Sequence, residues 1–153
     1  MSQNISYILT KEKDSINSEL VHYKENNYTI IFLDVLHFEI EAFIEIAKKY
    51  ENIDQVIEHI LTIEKEDIDL VEIAKTINKL NLNSFVLEHY SDWADITVEE
   101  FSLAVKDKII LTEDIDNWKK NKLSIGFDEQ EYSEFKIYKY RNFEDCKNNY
   151  QKL

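Results

Sequence analysis

Between His37 and Leu80 apolar residues recur every three or four positions, whereas the stretch before it carries short β-prone runs with no such period. His37 to Tyr50 sets Phe38, Ala42, Phe43, Ile46 and Tyr50 at helical spacing, with Glu39, Glu41, Glu45, Lys48 and Lys49 largely elsewhere. Asn52, followed three residues later by Gln55, has the form of a capping box and opens a second helix whose stripe is Ile53, Val56, Ile57, Ile60 and Leu61. A third helix is predicted from about Asp67 to Leu80, with Ile68, Val71, Ala74 and Ile77 inward and Asp69, Glu72, Lys75, Asn78 and Lys79 outward. Each helix would bury one face and show acids on the other.

Strands are predicted on both sides of this run. Ile5 to Thr10 is short and β-prone, Ser18 to Glu25 mixes apolar and polar residues, and Tyr28 to Leu36 is rich in β-branched and aromatic residues. Asn26 and Asn27 separate the last two, and Asn tolerates the positive φ of a tight turn, so a hairpin is expected there. A helix from about Asp14 to Lys24 is the rival reading, weakened by its Ser and Asn content. Phe85 to Tyr90 fits a strand or the start of a helix. Thr97 with Glu100 reads as a capping box, which predicts a helix over Val98 to Lys108. Thr112, with Glu113 and Asp114 behind it, opens a short helix through Trp118, and Leu123 to Phe127 and Glu134 to Tyr140 read as closing strands. The order strands, helices, strands defines an α+β class: an N-terminal β-hairpin, central amphipathic helices and C-terminal strands in a single compact domain over residues 1–153. No fixed-period repeat or linker composition divides the chain; a subdivision near Asn81 to Ser84 is the alternative.

Composition changes this picture in two ways. At 153 residues one core is enough, and a fold of this length buries roughly 70% of its unfolded surface. The 44% hydrophobic content rules out a disordered acidic tail. Pro is absent, Gly126 is the one glycine and Arg141 the one arginine, as expected of AT-rich coding in a low-GC bacterium or its phages and mobile elements. With Lys supplying nearly all cations, bidentate guanidinium recognition of phosphate is disfavoured. One cysteine, Cys146, allows no intrachain disulfide and suits a reducing cytoplasm. The N-terminus lacks the pattern of a signal peptide, and the longest strongly apolar run, Ile30 to Leu33, is far short of the roughly 20 residues that span a bilayer. A cytoplasmic protein without membrane association is expected.

Charge is the most unusual property. The net charge is −13, and it is concentrated: residues 34 to 118 hold 21 acids against 7 lysines, while the two flanks nearly cancel. Such an excess repels nucleic acid and anionic membrane and attracts basic protein surfaces from beyond contact range.

Catalytic chemistry finds little footing beside it. Phosphate-binding loops, dinucleotide fingerprints and the nucleophile elbow need several glycines, and one cannot supply them. His37, Glu39 and Glu41 would share a face only on a strand, not on the helix predicted there. Glu58 and His59 point in different directions, and His89 beside Glu88 lacks a helical partner histidine, so a one-helix zinc site is unsupported. The clusters Glu64, Glu66, Asp67, Asp69 and Glu113, Asp114, Asp116 lack the glycine of a calcium loop and read as solvated helix ends. No cofactor and no metal site is expected. Trp93 and Trp118, each among acids, suit either core packing or an interface anchor. The C-terminal Tyr132, Tyr138, Tyr140 and Tyr150 with Lys136, Lys139 and Arg141 resemble a nucleic-acid surface only loosely, against the charge of the whole chain.

The expectation that follows is a non-enzymatic inhibitor whose carboxylates fill the basic groove of a nuclease or other nucleic-acid-binding enzyme. Size and charge match anti-CRISPR, antirestriction and toxin-immunity proteins, without a shared motif. The partner-binding candidates are Glu58, Glu64, Glu66, Asp67, Asp69 and Glu72, with Asp92, Asp95, Glu99 and Glu100 as a second group. The alternatives are a structural or regulatory interaction domain whose charge secures solubility and, behind it, a small metal-dependent enzyme.

Overall fold

A computed structural model describes residues 4–12, 20–24, 28–35, 37–93, 96–111, 118–128 and 142–149. Among the described residues its centre is an antiparallel sheet of six strands: β1 (Asn4–Thr10), β2 (His22–Lys24), β3 (Thr29–Leu33), β4 (Phe85–Trp93), β5 (Ile96–Lys106) and β6 (Ile109–Leu111). They lie in the order β2-β3-β1-β4-β5-β6. The first strand takes an inner place, with Tyr7 opposite both Phe32 of β3 and Glu88 of β4. The expected hairpin is present, since β2 pairs antiparallel with β3; its turn at Asn26 and Asn27 lies outside the described residues. At the other edge β5 turns into β6 through Asp107 and Lys108, with φ of 51° and 70°, the two positive angles that a two-residue hairpin matched to strand twist requires.

Three helices connect β3 to β4, and both of these strands run antiparallel to β1 on opposite sides of it. The connection therefore crosses over one face of the sheet. These helices are α1 (His37–Ala47), α2 (Ile53–Thr62) and α3 (Ile68–Leu80). Ile40, Phe43, Ile44 and Ala47 of α1 lock with Ile53, Val56, Ile57 and Ile60 of α2, Leu70, Ile73, Ala74 and Ile77 of α3, and Ile8, Ile31, Leu87, Leu103 and Val105 of the sheet. On the opposite face, Ile5, Tyr7, Leu9, Ile30, Phe32, Val86 and Ala104 pack with Phe127 and Cys146. That face is covered in part by α4 (Trp118–Ser124), which rests on β4 and β5, and α5 (Phe143–Asn149), which rests on β1 and β3. Strands covered on both faces lose polar alternation, which is why β3 (TIIFL) is buried throughout and apolar from Ile30 to Leu33.

The class is α+β, with the hairpin and the three amphipathic helices where the sequence places them. The capping box forms in full: Asn52 Oδ1 accepts from Gln55 N–H at 3.0 Å, and Gln55 Oε1 from Asn52 N–H at 3.2 Å. Two stripes are rotated. Phe38 is 48% exposed and Ile68 75%, because the strict i, i+3, i+4, i+7 sets Ile40, Phe43, Ile44, Ala47 and Leu70, Ile73, Ala74, Ile77 outcompete the sets that included them. Phe85 to Tyr90 is strand.

The helix expected over Val98 to Lys108 is not formed; that segment is the body of β5. Thr97 and Glu100 satisfy a local capping pattern, but residues from Phe85 to Ser91 offer a full ladder to Glu99 to Val105, and both faces of Ser102 to Val105 are buried. Tertiary pairing overrides the local signal. Leu123 to Phe127 likewise ends a helix instead of forming a strand. Gly126 N–H donates to Leu123 C=O at 3.1 Å and Phe127 N–H to Lys122 C=O at 3.1 Å, a Schellman closure with Gly126 at φ 99°. The expected helix start at Thr112 and the strand at Glu134 to Tyr140 lie outside the described residues.

Candidate functional site

The carboxylates of the first group belong to one corner, the end of α2, the turn after it and the start of α3. Over Glu58 to Glu72 there are six carboxylates and one lysine, Lys65. The backbone holds them firmly. Ile63 and Glu64 N–H groups close the end of α2 onto His59 and Ile60 C=O at 2.7 and 3.2 Å, and Asp67 N–H then donates to Glu64 C=O at 2.9 Å, closing the turn. Asp67 caps α3 by accepting from Leu70 N–H at 3.2 Å, which satisfies an orphan donor of the first turn.

Their surroundings differ. Glu58, Glu66 and Glu72 are exposed. Glu64 lies 3.5 Å from His59 Nε2, and the other ring nitrogen of His59 is 2.6 Å from the Tyr50 hydroxyl, so this carboxylate is steered by a side chain standing on α2. Asp67 and Asp69 are half-buried and close to Glu39 of α1. Burial raises the pKa of Glu39, and the charges of Asp67 and Asp69 and a side-chain hydrogen bond with Asp67 raise it further. Three carboxyls therefore meet where α1 and α3 begin, and their mutual repulsion favours the protonated form of Glu39. Among the described residues no group of three His, Cys, Asp or Glu side chains is placed to hold a metal ion.

The second group is dispersed. Asp92 is half-buried, with the Tyr90 hydroxyl donating to its Oδ2 at 3.4 Å. Asp95 and the side chain of Glu99 lie outside the described residues. Glu100 stands opposite Tyr90, two pairs along from Glu88 and Ser102, and so on the face away from α1, α2 and α3. Burial raises its pKa, the charge of Glu88 raises it further and that of Lys122 lowers it. Glu100 thus belongs to the surroundings of a buried network and does not extend the α2–α3 corner.

That network was not anticipated from the sequence. Glu88, 4% exposed, accepts from Lys122 Nζ at 2.9 Å, from the Tyr7 hydroxyl and from Ser102 Oγ at 3.3 Å. Asn121 Nδ2 donates to Ser102 Oγ at 2.8 Å. Burial, then the adjacent Glu88 charge, holds Tyr7 well above the ordinary tyrosine range, so its hydroxyl stays protonated and donating. With Lys122 and Asn121 both on α4, the arrangement ties that helix to β1, β4 and β5. Its signals were present in the sequence: Glu88 follows the apolar run Phe85 to Leu87 within β4, and WKKNKLS offers three lysines on a short helix.

Cys146 is fully buried in α5 and its thiol is pushed up to about 12, chiefly by burial and then by Asp145, which removes it from nucleophilic chemistry at neutral pH. The side chains of Trp93 and Trp118, and Tyr132, Tyr138, Tyr140, Tyr150, Lys136, Lys139 and Arg141, lie outside what the structure describes. Among the described residues no helix is long and apolar enough to cross a membrane.

No family model matches the chain, and neither a curated protein nor a solved structure matches it.

Proposed function

We propose that this protein is a non-catalytic acidic inhibitor that binds a basic nucleic-acid-processing enzyme, of the kind attacked by anti-CRISPR, antirestriction or toxin-immunity proteins, and occludes its nucleic-acid groove. The observation that carries this reading is the α2–α3 corner, where exposed Glu58, Glu66 and Glu72 and half-buried Glu64, Asp67 and Asp69 are set along a capped, tightly turned frame with a single lysine among them. A groove lined by Lys and Arg to hold a polyanion would accept such an array, with fast and salt-sensitive association. Direct binding of nucleic acid or of an anionic membrane runs against the same charge, and the fold needs no cofactor to present it. A cytoplasmic site of action follows from the proposed target.

The test is a cleavage assay with one RNA-guided nuclease, one restriction endonuclease and one nuclease toxin, each with increasing amounts of the protein. Inhibition of one of them that is competitive with DNA and weakens as salt rises is expected. Full activity of all three at stoichiometric excess and low salt would count against the proposal. A structural or regulatory interaction domain is the second reading, favoured by Ile63 and Ile68, two exposed apolar residues that charge mimicry alone does not require.

A further inference from the structure

Five large apolar side chains are exposed among the described residues, and three stand apart: Phe38 at the start of α1, Ile109 at the edge of the sheet and Leu123 on α4. Single exposed apolar residues are ordinary. Ile63 and Ile68 differ, because they are 67% and 75% exposed and flank the same four-residue turn, which the Asp67 to Glu64 hydrogen bond of 2.9 Å closes. Neither position needs isoleucine for folding. Ile63 is the C-cap of α2 and Ile68 the first residue of α3, sites where a β-branched apolar side chain contributes nothing to capping. The pair is bordered by Glu64, Glu66, Asp67 and Asp69.

We infer that Ile63 and Ile68 form the apolar anchor of the binding surface, and that its occupant is a protein presenting an apolar stripe or shallow pocket bordered by lysines or arginines. Charge complementarity selects this occupant. A second copy docking by the same patch would bring its own Glu64, Glu66, Asp67 and Asp69 against these carboxylates, and nucleic acid would meet them with phosphates. Desolvated isoleucines at the centre then set the lifetime of the complex, while the surrounding carboxylates set its rate of formation. The inference rests on the proposed protein-binding role of this corner and adds that its affinity is anchored by apolar contact.

The experiment uses the full chain with isotope-labelled isoleucine methyl groups and a synthetic amphipathic helix of Lys and Leu as the probe. A Lys and Ser peptide of equal charge and a Glu and Leu peptide of equal apolarity serve as controls. Saturable shifts of the Ile63 and Ile68 methyls are expected with the Lys and Leu peptide, weaker ones with the Lys and Ser peptide, and none with the Glu and Leu peptide. Changing Ile63 and Ile68 together to Ser should weaken binding at least about tenfold through faster dissociation. Neutralising Glu58, Glu64, Glu66 and Glu72 to Gln should mainly slow association and flatten the salt dependence. If the Ser variant binds as the parent does while the Gln variant does not, the anchor is refuted and the charge-based reading stands. If the peptide binds neither the parent nor either variant, both fail. A concentration-dependent dimer of the parent that the Ser variant abolishes would replace the basic partner by a second copy and overturn the inference.

Discussion

Replacing Lys122 by Met removes the cation of the buried network and leaves the Glu88 carboxylate without its charge partner. Both side chains are 5% exposed, with Nζ to Oε2 at 2.9 Å, so water cannot take over the lost role without opening the interface between α4 and the sheet. Removing one member of a buried pair costs about 3–5 kcal/mol, because the remaining charge stays desolvated. Two neutral donors, Tyr7 and Ser102, still point at Glu88 and place the expected loss toward the lower end of that range. For a chain of 153 residues this corresponds to a fall in melting temperature of roughly 6–20 °C. Glu88→Gln should cost a similar amount by stranding the ammonium. The double variant, Lys122→Met with Glu88→Gln, should recover about 2 kcal/mol relative to the sum of the singles, since it leaves a neutral hydrogen-bonded pocket. Urea unfolding followed by far-ultraviolet circular dichroism measures all three. Losses below about 1 kcal/mol in both singles, combining additively in the double, would refute the argument: the pair would then behave as an exposed one.

Glu39→Gln should stabilise the protein at pH 7 by roughly 0.5 kcal/mol, by removing a charge that Asp67 and Asp69 oppose. Because the folded-state pKa of Glu39 is raised, the fold binds its proton more tightly than the unfolded chain does. Its contribution is therefore fully present below the ordinary carboxyl value and lost as pH rises through the folded one. The advantage of the variant should shrink accordingly in denaturant titrations carried from pH 7 toward the ordinary carboxyl range. Gly126→Ala should cost about 1 kcal/mol through its φ of 99° alone, since an added Cβ would meet only Lys11 Cδ at an ordinary 3.6 Å; a neutral result in thermal melts would contradict the Schellman closure. Cys146 should resist a disulfide reagent in the native state and react at the rate of opening of the fold, so immediate labelling of folded protein would show α5 to be undocked. Replacing Glu58, Glu66 and Glu72 together by Gln should leave the melting temperature unchanged or raise it slightly, because these carboxylates make no ion pair or hydrogen bond among the described residues and repel one another.

What the sequence made legible depended on whether an element is specified locally or by its partners. The α2 helix was fully readable, because Asn52, Gln55 and the Ile53, Val56, Ile57, Ile60 stripe all act within one helix. The α3 boundaries were readable through Asp67 and half of its buried side through Ala74 and Ile77, while its first turn was not: Ile68 and Leu70 are both apolar, and only the surface offered by α1 and α2 decides which turns inward. Strand β5 was unreadable for the same reason. FSLAV has a helix-compatible composition, and it becomes a strand because β4 and β6 flank it and helices cover both faces. Gly126 held a usable clue, since a lone glycine after a Lys-rich turn is a helix C-terminus signature. Among the candidate binding residues, Glu58 to Glu72 are neighbours in sequence and lie along the end of α2, its turn and the start of α3, whereas strand alternation sets Glu100 of the second group on the face away from these helices.

The carboxylates of this chain can be sorted by whether folding uses them. Glu88 is matched by Lys122, Glu12 accepts from the Asn83 and Ser84 backbone N–H groups at 2.9 and 2.7 Å, and Asp67 caps α3. Each of these has a local reason to be acidic, and its loss would be felt as stability. Glu58, Glu66 and Glu72 have no such reason, and keeping them together adds self-repulsion to the folded state. Solubility would be served equally well by acids spread over both layers, with no need to gather around Ile63 and Ile68. Structurally idle charge beside structurally idle isoleucines is what the proposed binding role would account for, and it separates the two kinds of test: under that proposal, variants in the Glu88 network should lose the fold and the binding together, whereas variants at the α2–α3 corner should lose binding while the fold remains intact.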